Sequence, residues 1–286
     1  MKTDKDINIP DIVSDIPSLP VVASRMLQII ADENASLEEL KRVISLDQSF
    51  TGRLLRIANS PYYRAQKNIA DITDAITRIG FTTVQALVFA ISLRDLRRST
   101  DQTDRLLWDH NLAVSVAAGL VGNNAGFAGA GEVLIYGLLH DIGKVFINLS
   151  FKKEYAEVLR RVREDQIPFN RAEQAVFGFD HCDVGSQVAR QWRLPETLVF
   201  AIANHHDSDL LALTNAEQKK KTLTVKTADA LCSASGLGLA CSAEMTDAEW
   251  QFMKLASAKK REALSAGIEQ EYNSYRDFVL GQNSHT

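Results

Sequence analysis

The sequence has few of the features that mark specialised classes of protein, and cysteine is the first of them. Its 286 residues include three cysteines, Cys182, Cys232 and Cys241, and no Cys-x-x-Cys pair. An odd number of widely spaced cysteines excludes a disulfide-dense scaffold and indicates free thiols in a reducing cytoplasm. Only 6 prolines and 15 glycines occur, and no linker is rich in them, which excludes a collagen-like or low-complexity chain.

A charge excess and long apolar runs are also missing. Lys and Arg number 32 against 36 Asp and Glu, a net charge of −4, so the basic excess typical of a nucleic-acid-binding protein is absent. The longest apolar stretches, 112–122 and 86–93, are shorter than the roughly 18–20 residues that span a bilayer. The N-terminus carries charges of both signs and no apolar segment follows it. We therefore expect a soluble cytoplasmic protein that binds no membrane, and the charge balance argues against nucleic-acid binding.

Several enzyme motifs are absent as well. No Gly-x-Ser-x-Gly occurs, which argues against a serine hydrolase built on a nucleophile elbow. Neither a Walker-type phosphate-binding loop nor a Gly-x-Gly-x-x-Gly fingerprint occurs, which argues against the common nucleotide-binding folds. Any activity must therefore reside in other residues.

What the sequence does contain is a succession of helix signals. Ser36, Thr82 and Thr246 are each followed three residues later by Glu or Gln, the spacing of a capping box. Gly80 and Gly178 follow periodic apolar runs, as helix stops do. Apolar residues recur at helical spacing between these signals and strand-like alternation is nearly absent, so we predict an all-α fold.

Two soft boundaries divide the chain. A charged stretch over 94–104 separates two helical blocks, and a glycine pair at Gly236 and Gly238 precedes the last one. We therefore expect an N-terminal helical bundle over 15–100, a central core over 101–235, and a C-terminal helical extension over 236–286.

Histidine and aspartate carry the chemical information. Five of the six histidines lie in or near predicted apolar helices, and only His285, in the polar tail, looks incidental. His140 and Asp141 fall in the middle of a segment, 132–149, that is apolar nearly all round and that we predict to be one buried helix. A buried carboxylate needs a hydrogen-bonded partner or a cation. An ion placed between the two side-chain directions would take one ligand from each.

Three more side chains are predicted to point inward with them. His110 and Asp229 each lie on an apolar stripe of their helix, and Lys144 lies one turn beyond His140. Taken singly, these would be a core histidine, a capped or paired aspartate and a lysine that reaches the surface. Taken together with three further histidines, they supply nitrogen and oxygen ligands of the kind that Zn, Mn, Fe and Ni accept. Those three are His181, His205 and His206.

Residues 138–144, Leu-Leu-His-Asp-Ile-Gly-Lys, resemble the signature of the HD superfamily of metal-dependent phosphohydrolases. The wider match resembles one branch, the HDOD (HD-related output domain) family, over 15–235. Its motifs are matched in chain order by Ile-Pro-Ser-Leu-Pro at 16–20, Leu-Leu-Arg-Ile-Ala-Asn-Ser-Pro-Tyr at 54–62, Ala-Ile-Thr-Arg-Ile-Gly at 75–80, Leu-Trp-Asp-His at 107–110, Asp-His-Cys-Asp-Val-Gly at 180–185, Trp-Arg-Leu-Pro at 192–195 and Asn-His-His at 204–206.

The resemblance implies a fold, a context and a ligand set. The fold is an HD-like helical core preceded by an N-terminal helical bundle, and the context is bacterial signal transduction. By analogy with the superfamily, one divalent transition metal (Fe, Mn, Zn or Ni) would be held by His110, His140, Asp141 and Asp229. A second ion would be held by His181, His205 and His206, with Asp141 as the bridging ligand.

Two functions follow from the resemblance. The first is a regulatory output module that binds a signalling protein or a small phosphorylated ligand. It is favoured by the HDOD-type N-terminal half and because no Gly-Tyr-Pro element follows His206. Leu106 stands where some cyclic-dinucleotide phosphodiesterases of the HD-GYP branch carry a carboxylate, which argues against cyclic-dinucleotide hydrolysis. The alternative is a metal-dependent phosphohydrolase acting on a phosphate ester or nucleotide. Asp141 would then act at a metal that activates water, and Lys144 would steady the phosphate.

Overall fold

A computed structural model describes residues 7–31, 35–46, 48–59, 63, 68–94, 101–127, 132–239 and 244–280. Within these ranges the chain forms 16 α-helices and one short 3-10 helix, and contains no strand. The prediction of an all-α fold is therefore confirmed. Cys241, the Ser-Pro-Tyr part of the 54–62 motif and most of the charged stretch at 94–104 lie outside the described residues.

The described residues of the N-terminal part form six helices, and α2 packs against α6. The capping box of Ser36 forms as predicted. The one predicted at Thr82 does not, because α6 begins at Phe81, directly after Gly80, which ends α5 with φ +99°. The helices are α1 (Ile9–Ser14), α2 (Val21–Ala31), α3 (Leu37–Ile44), α4 (Gln48–Ala58), α5 (Ile72–Ile79) and α6 (Phe81–Arg94).

The central part is built around one long helix, α7, which packs against α8 and α14, while α12 packs against α9 and α13. The helices are α7 (Gln102–Ala125), α8 (Val133–Leu139), α9 (Ile142–Ser150), α10 (Lys152–Glu164), α11 (Phe169–Phe177), α12 (His181–Gln191), α13 (Glu196–Asn204) and α14 (Ala216–Ala234), with the 3-10 helix at Leu210–Ala212.

Two helices complete the chain: α15 (Asp247–Phe252), which begins at the predicted capping box of Thr246, and α16 (Ala258–Leu280). The helix α16 packs against α7, α4 and α6. The hydroxyls of Tyr63 and Tyr275 are 2.7 Å apart across this contact. The C-terminal extension therefore contacts both the N-terminal and the central helices.

The buried helix predicted over 132–149 is interrupted, which corrects the prediction. The helix α8 ends at Leu139, and α9 begins at Ile142. Asp141 leaves the helical conformation, with φ −104° and ψ 18°, and His140 Nδ1 lies 2.8 Å from Gly137 O. The break allows His140 and Asp141 to face the same point, instead of pointing about 100° apart as on a continuous helix.

One apolar segment is longer than the sequence analysis allowed. Val133–Ser150 has the length and hydropathy of a membrane-spanning segment, but 89% of it is buried inside the protein. The helices α5 and α6 pass the same criterion only when joined across a 106° bend. Burial to this extent is typical of a helix in the core of a protein.

Two distant sequence motifs meet at the surface of the core. The indole Nε1 of Trp192, in the Trp-Arg-Leu-Pro motif, donates a hydrogen bond of 3.1 Å to Pro17 O, in the Ile-Pro-Ser-Leu-Pro motif. The helix α1, just before that motif, packs against α12 and α9. The N-terminal motif is thus attached to the central helices.

A close approach of α9 and α12 sets the relative positions of two motif histidines. A Cβ added at Gly143 would overlap the carbonyl oxygen of His181 and lie 2.9 Å from Gly185 N. Both obstacles are backbone atoms, which cannot move aside as a flexible side chain can. Glycine at 143 therefore allows the His140–Asp141 turn to approach His181.

We expect Gly143→Ala to destabilise the protein by about 1–3 kcal/mol through overpacking. Gly267→Ala is the matched control, because it also lies in a helix but nothing lies within 4 Å of its added Cβ. The control is expected to stabilise by about 0.5–1 kcal/mol. Chemical denaturation of both variants tests the prediction, and equal effects would show that the approach at Gly143 is loose.

Candidate metal centre

The structure brings the predicted ligands together around Asp141, and all but one are at most 2% exposed. They come from five helices or helix ends that are far apart in sequence. The residues are His110 on α7, His140 and Asp141 between α8 and α9, His181 at the start of α12, His205 and His206 at the end of α13, and Asp229 on α14.

The first ligand set faces Oδ2 of Asp141. His140 Nε2 lies 3.3 Å from this oxygen and His110 Nε2 lies 3.6 Å from it. His110 Nε2 is also 3.1 Å from Oδ1 of Asp229. These four residues are the ones that the resemblance assigns to the first metal ion.

The second ligand set faces the other oxygen of the same carboxylate. Oδ1 of Asp141 lies 3.2 Å from His181 Nε2 and 3.6 Å from His205 Nε2. His206 Nε2 is 3.0 Å from His181 Nε2. Each oxygen of Asp141 therefore belongs to a different cluster of donors, which is the arrangement of a bridging carboxylate.

The other ring nitrogen of three histidines contacts a backbone carbonyl. Nδ1 of His110, His140 and His205 lies 3.1, 2.8 and 2.9 Å from the carbonyl oxygens of Leu237, Gly137 and Ile202. A carbonyl oxygen only accepts, so Nδ1 carries the proton in each contact. This leaves the lone pair of each neutral ring on Nε2, which faces Asp141, as a metal ligand requires.

Nδ1 of a fourth histidine, His181, contacts a carboxylate, that of Glu173, which was not predicted from the sequence. Glu173 Oε2 lies 2.5 Å from His181 Nδ1 and accepts a hydrogen bond of 2.9 Å from the His181 backbone N. Its Oε1 accepts from the hydroxyl of Tyr155, and its side chain is fully buried. A pattern could have found it, since Glu173 stands between Phe169 and Phe177 on the buried face of α11.

The local sequence explains why His181 stands where it does. Asp180 caps α12 with its side chain, accepting from the backbone N of Cys182 and of Asp183, and Asp183 completes a capping box. The helix therefore begins at His181, whose side chain projects from the first position.

Several buried polar atoms at the centre are unsatisfied. In the described part of the chain, Nε2 of His110, His140 and His205, together with Oδ1 of Asp141 and Oδ2 of Asp229, make no hydrogen bond. Such atoms are rare in folded proteins and call for an explanation such as an ion. Imidazole nitrogen and carboxylate oxygen suit Zn, Mn, Fe and Ni. The residues present therefore fit a divalent transition metal.

The carboxylates alter the acidity of the buried rings. Burial lowers the pKa of His110, but the carboxylate of Asp229, 3.1 Å from its Nε2, raises it above its usual value overall. Burial acts in the same direction on His181, and the charge of Glu173 reverses it, so that the pKa of His181 is raised well above its usual value. In both rings the effect of the nearby carboxylate outweighs that of burial.

Other groups of the centre have pKa values that are lowered. Burial lowers the pKa of His140, and burial together with the charge of His205 lowers the pKa of His206 well below its usual value. Burial would raise the pKa of Asp141, but the charges of His140 and Lys144 hold it well below its usual value. Asp141 is thus an ionised carboxylate, as a metal ligand must be.

Lys144 and Cys182 complete the surroundings. Lys144 Nζ lies 2.5 Å from Oδ2 of Asp141 and 4.6 Å from the centre of the Phe169 ring, with the side chain 3% exposed. The lysine therefore does not reach the surface, and its ammonium pairs with Asp141. Cys182 Sγ lies 3.8 Å from His205 Nδ1, close enough to group with the second ligand set. This thiol is not among the ligands that the resemblance implies.

A pocket of 610 Å³ lies beside residues that neighbour the first ligand set. Leu106, one turn before His110, lines it, as does Phe169, which contacts Lys144. The other lining residues are five apolar and four polar ones, and the polar ones are Gln102, Thr103, Arg163 and Gln166. The volume lies within the range of about 300–1,000 Å³ typical of small-molecule sites.

One family model and several solved structures are similar to this chain. A family model for the HDOD domain matches residues 16–208. An HDOD domain protein of unknown function from Geobacter sulfurreducens is 27% identical, with a TM-score of 0.76 and 95% of each chain covered. A candidate signal transduction protein from Marinobacter aquaeolei has the same TM-score at 19% identity, with 98% of this chain and 62% of that one covered. At that identity, the likeness to the Marinobacter protein shows the fold alone.

One curated relative is longer than this chain. An uncharacterised protein from Treponema pallidum is 28% identical over 205 residues, which are 70% of this chain and 39% of that protein. The match therefore spans well under half of the relative.

Proposed function

Because the chain belongs to the HDOD domain family, we propose that it is a bacterial signal-transduction output module whose His/Asp centre binds one or two divalent transition-metal ions. It acts in the cytoplasm by binding a signalling protein or a small phosphorylated ligand. The module occupies 15–235, with the N-terminal bundle over 15–100 and the HD-like core over 101–235. Residues 236–286 form the extension.

One observation carries this proposal, the closed geometry of the donor sets. Each set offers four protein donors, and Asp141 supplies one oxygen to each. The first set is His110, His140, Asp141 and Asp229, and all four side chains are at most 2% exposed. Metal sites that serve structure are closed by protein ligands, whereas catalytic sites keep a position open for water. The geometry therefore favours a metal that organises the module.

When bound, the metal would supply a positive charge that compensates the two buried aspartates. The residues of the chain would do the rest of the work. Gly137, Ile202 and Leu237 hold three imidazole rings through their carbonyl oxygens. Such outer contacts fix the tautomer and orientation of ligating histidines.

We expect the wild-type protein, purified without chelator, to carry one or two transition-metal ions per chain in elemental analysis. His140→Ala is expected to lose at least the first ion, because it removes one of the four donors of that set. His285→Ala is the matched control, since that histidine lies in the polar tail of the sequence. Wild-type protein that carries no metal and cannot be loaded with any would refute the centre.

A second candidate function, metal-dependent phosphohydrolysis, is favoured by the adjoining pocket. The pocket is large enough for a nucleotide-sized phosphate ester, and Phe169, which lines it, contacts Lys144 behind it. In this function Asp141 ligates the metal and Lys144 steadies the phosphate. Metal-dependent hydrolysis of a phosphate ester, abolished by His140→Ala, would establish it over the regulatory module.

A further inference from the structure

We propose that Leu237, Gly238 and Glu249, in the C-terminal extension, are positioning residues for the candidate metal centre. They lie beyond residue 208, where the family match ends, and beyond the boundary expected at 235. One contact holds His110 of the first ligand set, and the other holds the turn that carries His206 of the second. The inference rests on the proposed metal centre.

The first contact is made by a tight loop that lies against α7. Leu237 O lies 3.1 Å from His110 Nδ1. The next residue, Gly238, has φ +82°, and a Cβ added there would lie 2.5 Å from the Cβ of His110 and 2.6 Å from its Cα. Only glycine combines this backbone conformation with so close an approach. The loop therefore fixes both the backbone and the ring of His110.

The second contact passes through a buried ammonium. Lys226 Nζ lies 2.7 Å from Glu249 Oε1 and donates a hydrogen bond of 2.8 Å to Asp207 O, the carbonyl of the residue after His206. The side chains of Lys226 and Glu249 are 4% and 1% exposed. A buried ion pair adds little net stability, because desolvation offsets the attraction, but it can define one arrangement of the groups around it.

Both contacts are made by the C-terminal extension, and each acts on a different ligand set. Leu237 and Gly238 hold α7 at His110, while Glu249 orients Lys226, which in turn ties α14 to the turn after α13. Because α14 also carries Asp229, the extension determines the relative positions of donors from three helices. Removing a contact is therefore expected to weaken metal binding without removing any ligand.

The first experiment measures Co²⁺ affinity of the full-length protein by calorimetry and by the visible absorption of bound Co²⁺. We expect Gly238→Ala to weaken the first ion by about 10–100-fold, the effect typical of outer-shell changes. Gly236→Ala is the matched control: it has φ +69° in the same loop, but nothing lies within 4 Å of its added Cβ. Its affinity is expected to stay within about 3-fold of wild type.

The second experiment keeps the inference testable if Gly238→Ala fails to fold. We expect Lys226→Met and Glu249→Gln each to weaken the second Co²⁺ ion by about 10-fold or more and to alter its absorption spectrum. Lys221→Met is the matched control, because Lys221 is on the same helix and also contacts two carboxylates at 2.7 Å, those of Glu132 and Glu217, which hold no ligand.

The outcomes separate this inference from the proposed function. If the wild type binds Co²⁺ and the variants lower Tm with unchanged affinity and spectrum, the contacts are merely structural and the inference is overturned alone. If the wild type binds no Co²⁺, the proposed metal centre and the inference fail together. Weakened binding in the test variants, with both controls near wild type, supports the inference.

Discussion

Asp141→Asn is expected to reduce the metal content of the protein from its wild-type value to none. Each carboxylate oxygen of Asp141 faces a different ligand set, at 3.3 Å from His140 Nε2 and 3.2 Å from His181 Nε2. Asparagine keeps the size of the side chain but replaces one oxygen by an amide group that cannot ligate, and it removes the negative charge both ions need. Elemental analysis of protein expressed with Mn²⁺, Fe²⁺ or Zn²⁺ measures the loss.

The same substitution is expected to destabilise the metal-free protein by about 3–5 kcal/mol, because one partner of a buried ion pair is removed. The ammonium of Lys144, whose side chain is 3% exposed, lies 2.5 Å from Oδ2 of Asp141. A double variant that combines Asp141→Asn with Lys144→Met removes both charges and is expected to recover most of the stability. It should still bind no metal.

This double variant separates the ligand role of Asp141 from its role in neutralising a lysine. Recovered stability without recovered metal binding is the expected pattern. An Asp141→Asn protein that retains both ions would show that the carboxylate is a neighbour of the centre and not its bridge. Unchanged stability in the single variant would show that the contact with Lys144 contributes nothing in the metal-free protein.

The sequence indicated which side chains lie close together better than it indicated how they are arranged. A histidine or aspartate within an apolar helical stripe is visible in the sequence, and His110 and Asp229 were predicted to point inward on that basis. The break between α8 and α9 was not predicted, because 132–149 contains no proline and its apolar residues continue at helical spacing. Gly137 and Gly143 were the available signal, and both mark close approaches between backbones.

The supporting contacts show where sequence reasoning ends. Glu173 was within reach, since a charged residue between Phe169 and Phe177 on one helical face is visible without a structure. The role of the Leu237 carbonyl could not be predicted, because a backbone oxygen has no sequence signature. Its contact with His110 arises only when two distant segments pack. The glycines at 236 and 238 were interpreted as a boundary. In the structure one of them lies against the centre.

Glu173→Ala is expected to lower the free energy of unfolding by about 3–5 kcal/mol and to weaken the second metal ion by about 10–100-fold. Glu173 accepts from both the ring and the backbone N of His181 in a fully buried position. Alanine would leave His181 without these contacts, so its ring loses both its orientation and its nearest compensating charge. Chemical denaturation and Co²⁺ calorimetry measure the two effects.

The conservative change Glu173→Gln distinguishes orientation from charge. Glutamine retains an oxygen that accepts from the His181 backbone N, so stability should return most of the way. It lacks the negative charge that makes the His181 ring a stronger metal ligand, so Co²⁺ affinity should remain below that of wild type. Glu164→Ala, at a half-exposed glutamate paired with Arg160, is the control and should shift stability by no more than about 0.5 kcal/mol. Wild-type Co²⁺ affinity in Glu173→Ala would mean that the helix start at Asp180 alone positions His181, and that Glu173 serves only the packing of α11.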